Sequence, residues 1–224
     1  MQTRAKTVFD VDKIHQNYKL VIADFGRINA TIDSQRDSFD ETLAGKLLQA
    51  YDWLNKHLAS ASPLALLAPQ DMLELNMIVH MGTDPAARGD YQGFISYTEE
   101  KFARYSPALI EWFNRQEGRG ANPYTIAAGL YVRVLARPQL FSDGNHRTGS
   151  LIANYYLLTK DQAPFILTCD NAVNFLNLAS DVKFKRDDIW SNFKRAVGWR
   201  DESARMRRFL QAHVQPFTRG AIVE

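Results

Sequence analysis

Gln139-Leu-Phe-Ser-Asp-Gly-Asn-His-Arg-Thr-Gly-Ser150 decides how the rest of this 224-residue chain is read. Phe141 to Asn145 read as a loop that turns on Gly144. An apolar helical pattern follows at Leu151, Ile152, Tyr155 and Leu158. Asn145 is the expected N-cap of that helix. A helix start leaves backbone N–H groups without partners and carries partial positive charge, so it suits an anion. Arg147 adds a guanidinium that can clamp phosphate, and Asp143 a carboxylate that can hold Mg2+ against phosphate oxygens. The same residues also make an ordinary capped helix with a surface arginine, and local pattern alone leaves both readings open.

The stretch resembles the Fic family motif, written H-x-F-x-[DE]-G-N-[GK]-R-x-x-R. Phe141, Asp143, Gly144, Asn145 and Arg147 stand at its positions. Upstream, residues 123–131 resemble the family helix that precedes the loop. Downstream, residues 151–158 and then Ala163-Pro164-Phe165 resemble the helix and short link that follow. The close match spans residues 120–165, with weaker similarity reaching back to residue 70. The resemblance implies an all-α fold, a Fic-like helical bundle with a small β-hairpin flap. It also implies transfer of a nucleotidyl (AMP-type) or other phosphate-containing group to a protein hydroxyl. The donor would be ATP or a related nucleotide, with Mg2+ as cofactor. The implied partners are the nucleotide, a target protein and an antitoxin-like protein. By position, Asp143 would bind the metal, and Gly144, Asn145, His146 and Arg147 the phosphates.

The departures bear on activity. Gln139 stands where the family has its general-base His, His146 at the variable Gly/Lys position, and Ser150 at the final Arg. A carboxamide orients a hydroxyl but accepts no proton near neutral pH. A positioned base is typically worth about 100- to 10,000-fold. Ordinary transfer should therefore be weak, leaving either an altered base or an inactive nucleotide-binding or protein-interaction module. His146, in the first turn of the helix, is the nearest replacement base. The dipole there favours neutral imidazole, although a phosphate contact or a solvent-facing ring fits the sequence as well. His15, His57, His80 and His213 are dispersed without zinc spacing and read as structural.

Composition bounds the rest. The length fits one domain with a small appendage, and 46% hydrophobic residues support an ordinary core. We divide the chain into an N-terminal helical region (1–69), a Fic-like core (70–200) and a C-terminal helix and tail (201–224). Net charge is +2 and Cys169 is the single cysteine. That excludes a disulfide framework within the chain and fits a reducing compartment. No apolar run is long enough to span a membrane, and no signal-peptide core follows Met1 to Lys6. A cytoplasmic protein is expected, and an effector delivered without a cleaved signal would look the same. Basic residues from Lys183 to Arg208 are interspersed with Asp181, Asp187, Asp188, Asp201 and Glu202. A solvated helical face therefore fits better than a nucleic-acid surface.

Periodicity predicts helices over 10–25, 38–57, 70–81 and 98–116, the last broken or restarted at Pro107. Asn122-Pro123 predicts a capped helix to about residue 136. Shorter helices are expected over 171–180, 187–197 and 201–213. Residues 82–97, punctuated by Gly82, Pro85, Gly89 and Gly93, predict the flap or an ordinary surface loop. Gln92, Gly93, Phe94 and Ile95 would be the flap edge to which a target strand adds. Ser96-Tyr-Thr-Glu-Glu100 matches the spacing of the family's inhibitory Ser/Thr-x-x-x-Glu signal. It reads as coincidence or as the cap of the next helix.

Overall fold

Local capping sets where the helices begin. Asp10 accepts from the Lys13 N–H and opens α1 (Val11–Thr31). Asp40 accepts from the Leu43 N–H ahead of α2 (Glu41–Ser60). Prolines at the first helical position begin α3 (Pro69–Met81) and α4 (Pro85–Gly89), where Pro has no N–H to waste. α5 (Gln92–Gly118) follows directly. Asn122 caps α6 (Pro123–Leu135) through a 3.0 Å bond from the Tyr124 N–H, as the sequence predicts. Then come α7 (Asn145–Thr159), α8 (Ala172–Phe184) and α9 (Asn192–Ala212). This computed structural model describes residues 7–60, 68–136, 138–184 and 192–220. Among them the single sheet is a two-strand antiparallel ribbon. It joins the two ends of the chain, pairing β1 (Thr7–Phe9) with β2 (Thr218–Gly220), Val8 opposite Arg219.

α6 and α7 form the buried centre. Ile126, Leu130, Val134 and Leu135 of α6 and Leu151, Ile152, Tyr155 and Leu157 of α7 are all buried. Helices this apolar all round belong inside a bundle rather than on its surface. The cluster they anchor runs from Val8 to Leu210, so residues 1–69, 70–200 and 201–224 all contribute to one core. α5 packs on α6 at Gly129. A Cβ there would lie 2.2 Å from Cη2 of Trp112, whose ring carries the Arg133 guanidinium 3.8 Å from its centroid.

Four expectations are corrected. Residues 82–97 hold no hairpin: Gln92, Gly93, Phe94 and Ile95 form the first turn of α5. Ile95 N–H donates to the Tyr91 carbonyl at 2.9 Å, and Phe94 stacks on His80 at 4.4 Å. The Gly and Pro residues read as strand boundaries are instead a helix start at Pro85 and a helical Gly93. Pro107 lies within an unbroken α5, and Ser96 to Glu100 lie past the start of that helix, so they cap nothing. The helices expected over 187–197 and 201–213 are one helix from Asn192 to Ala212, while 187–191 fall outside the described residues.

Gly129→Ala forces Trp112 out of its slot. Overpacking of this kind costs roughly 1–3 kcal/mol, so urea unfolding of the variant should show a lower midpoint at unchanged slope. An unchanged midpoint would mean that Trp112 is not held against Gly129.

Candidate phosphate site at the start of α7

The loop ahead of α7 is built by two carboxamides. Asn145 Oδ1 accepts from the Phe141 N–H at 2.9 Å, and its Nδ2 donates to the Phe141 carbonyl at 3.0 Å. Lys101 of α5 donates to the same carbonyl at 2.8 Å, and Phe102 stacks on the Phe141 ring at 5.4 Å. From α3, the fully buried Asn76 donates to the Asp143 carbonyl at 2.9 Å and to Thr148 Oγ1 at 3.0 Å. Between these pins Gly144 adopts φ +72°, and a Cβ there would meet Asn76 Nδ2 at 3.1 Å. The loop thus needs glycine for its backbone angle and for the close approach of Asn76.

The N-cap expectation is corrected in detail. Gly144, not Asn145, occupies the cap and supplies no side-chain cap bond. The Asn145 carboxamide is already bonded to Phe141, so Asn145 can offer a phosphate its backbone N–H rather than its side chain. With no side-chain cap, the first-turn amides of α7 are left for an outside acceptor.

Asp143 and Arg147 face one another. Arg147 Nη2 lies 3.8 Å from Asp143 Oδ2, and Nη1 donates to the Val79 carbonyl at 3.3 Å. His80 Nδ1 stands 3.3 Å from the same Asp143 oxygen. The His80 hydrogen bond, the Gly144 N–H and the Arg147 charge hold the Asp143 carboxyl well below the usual carboxylate range, against a smaller opposing effect of burial. His80 was missed in the sequence because 63 residues separate it from Asp143. Its placement depends on α3 crossing the loop. Asn76 carried a weak signal, being a lone polar residue among Leu75, Met77, Ile78 and Val79.

His146 does not sit as a replacement base should. Burial, with Arg36, Lys183 and Arg147 nearby, pushes its imidazole down to about 3. Nδ1 lies 3.2 Å from the Tyr131 hydroxyl, which burial keeps protonated, and Nε2 is shielded from solvent without a partner. The ring is neutral, as the sequence reading expects, but too weak a base to take a hydroxyl proton efficiently.

Asp143, Gly144, Asn145, His146, Arg147 and Ser150 all border one cavity of about 600 Å³. Phe25, Phe39, Leu47, Leu167 and Phe175 give it apolar lining beside the charged Arg36, Asp37, Asp40, Lys46 and Lys183, and α1, α2, α8 and the α1–α2 connection border it. Gln139 is half-buried and lies outside this wall, as do Gln92 to Ile95.

The fold is that of a Fic-like helical bundle. It is similar to a Fic domain containing signaling protein from Bacteroides thetaiotaomicron, with a TM-score of 0.50 at 15% identity. The likeness covers 90% of this chain and 95% of that one. At this identity the likeness is one of fold. No protein-family profile and no curated protein sequence matches the chain. No helix among the described residues is long and apolar enough to cross a membrane.

Two measurements check this geometry. Gly144→Ala places a side chain at positive φ against Asn76, at a cost of roughly 1–3 kcal/mol; a chemical melt superimposable on the wild-type curve would contradict the loop as described. His146 has a folded pKa depressed to about 3, below an unfolded value near 6.5. The unfolded chain then binds more protons between those values, so stability should fall as pH drops from about 6.5 toward 3. His146→Asn should flatten the part of that slope between about pH 5.5 and 6.5, above the range where most Asp and Glu titrate. An imidazole NMR signal for His146 that titrates near 6.5 would refute the assignment.

Proposed function

We propose that the chain binds a nucleotide with Mg2+ through the turn from Asp143 to Arg147, and transfers a phosphate-containing group to a protein hydroxyl slowly. The observation that carries this reading is the meeting of an uncapped helix start and Arg147 with a cavity lined in part by apolar side chains. Phosphates would face the α7 amides and Arg147, and apolar lining would take the base or sugar face.

The residues present fit Mg2+ in one manner. No cluster of three or more His, Cys, Asp or Glu occurs among the described residues, so an all-protein cage is not supported. An ionised Asp143 beside phosphate oxygens suits a cation that keeps most of its waters. Bound there, Mg2+ would offset charge on the phosphates. His80 would have to share the Asp143 carboxylate or leave it.

Slow transfer follows from the missing proton acceptor: Gln139 has none, and His146 is held neutral with little basicity. Positioning alone still supports some rate in phosphoryl chemistry. A second reading gives the base role to His80. With Nδ1 on Asp143, its Nε2 is oriented to accept a proton, as in a carboxylate–histidine pair. A target protein and an antitoxin-like partner are carried by the resemblance. Strand addition at residues 92–95 is not part of the reading, since they are helical.

Calorimetric titration with ATP tests the first reading. Binding should require Mg2+ and disappear in Asp143→Ala, and absence of binding in both conditions would sink it. Gln139→His should raise transfer to a hydroxyl-bearing protein by roughly 100-fold or more if only the base is missing. If His80 is already the base, His80→Ala should abolish wild-type transfer and Gln139→His should add little.

A further inference from the structure

The cavity at α7 contains more positive charge than the motif brings to it. Arg36 enters from the connection between α1 and α2, and Lys183 from α8. Both act on His146 more strongly than Arg147 does. Arg36 is fixed in place rather than waving in solvent. Asn29 bonds its backbone on both sides, accepting from the Arg36 N–H at 2.8 Å and donating to the Arg36 carbonyl at 3.2 Å. Its Nη2 donates to Ser180 Oγ at 2.5 Å and to the Leu176 carbonyl at 3.2 Å. Its Nε is shielded from solvent and has no partner, like Nε2 of His146.

The acidic residues on the same walls are engaged away from Arg36. Asp40 is engaged as the cap of α2 and with Ser38. Asp37 and Asp143 act on Arg147. Among the described residues no carboxylate pairs with the Arg36 guanidinium, and burial lowers its pKa. Holding a half-buried guanidinium with no carboxylate partner costs stability unless an anion joins it.

We propose that Arg36 is a phosphate-contacting residue, supplying from outside the motif the second guanidinium that Ser150 lacks. The ligand class is a diphosphate-bearing molecule, one phosphate at the α7 amides and Arg147 and the other toward Arg36. This rests on the nucleotide reading above for the identity of the ligand, but not for the presence of an anion site. Arg36 is missed in the sequence because it stands in a polar connection 111 residues before Arg147.

The test is calorimetry in the presence of Mg2+ with two probes, inorganic pyrophosphate and ADP, on wild type, Arg36→Gln, Arg36→Lys and the double variant Arg36→Gln with Ser150→Arg. A thermal melt of each checks folding. Losing a charged hydrogen-bond partner should weaken both probes by roughly 10- to 100-fold in Arg36→Gln. Arg36→Lys should lie between, and Ser150→Arg should restore much of the loss. If Arg36→Gln melts early, Arg36→Lys carries the comparison. Wild-type affinity in a folded Arg36→Gln overturns the proposal and leaves the nucleotide reading intact. Arg36-dependent binding of pyrophosphate with no binding of ADP upholds the anion site and overturns the nucleotide reading. A folded wild type that binds neither probe overturns both.

Discussion

The clasp of Asn145 on Phe141 is the constraint from which the site follows. One carboxamide bonds both the N–H and the carbonyl of the same residue, four positions back. This closes the loop into a ring and commits the buried Asn145 side chain to the loop. The turn that remains needs positive φ at Gly144, and Asn76 then seals it from α3. Bonds to α3 and α5 hold the loop, the start of α7 and Arg147 in one arrangement. Electrostatic recognition of an anion works best with such fixed donors.

The same device recurs at three other places where non-helical backbone meets the helical core. Asn55 clasps Phe9, Asn154 clasps Phe165, and Asn29 clasps Arg36, each by a donated and an accepted bond. Buried backbone groups outside helices need partners. In a bundle with one short ribbon, asparagine supplies the pair of bonds that a neighbouring strand would supply in a sheet. The clasp at Arg36 ties this architectural habit to the chemistry of the cavity, because it fixes the residue that adds charge opposite the motif.

Much of the bundle was legible because helix starts and periodicity are local. Asn122-Pro123 announces α6, and Leu151 to Leu158 announce α7. The flap was misread because Gly and Pro mark boundaries without saying of what. Whether Gln92 to Ile95 coil or extend is decided by the stacking of Phe94 on His80, a contact invisible in sequence. The site divides in the same way. Asp143, Gly144, Asn145, His146 and Arg147 were found because they are contiguous, and they do share one cavity wall. His80, Asn76 and Arg36 were not, because each reaches the loop through the packing of another element. The basicity of His146 was likewise out of reach, being set by burial and by cations on three separate segments.

The central claim is that the start of α7 receives phosphate. Amide NMR of the 15N-labelled protein, titrated with ADP and Mg2+, reads that turn directly. The account predicts saturable shifts largest at Gly144, Asn145, His146 and Arg147. Saturable shifts confined to another part of the bundle, with these four amides unmoved, would contradict it.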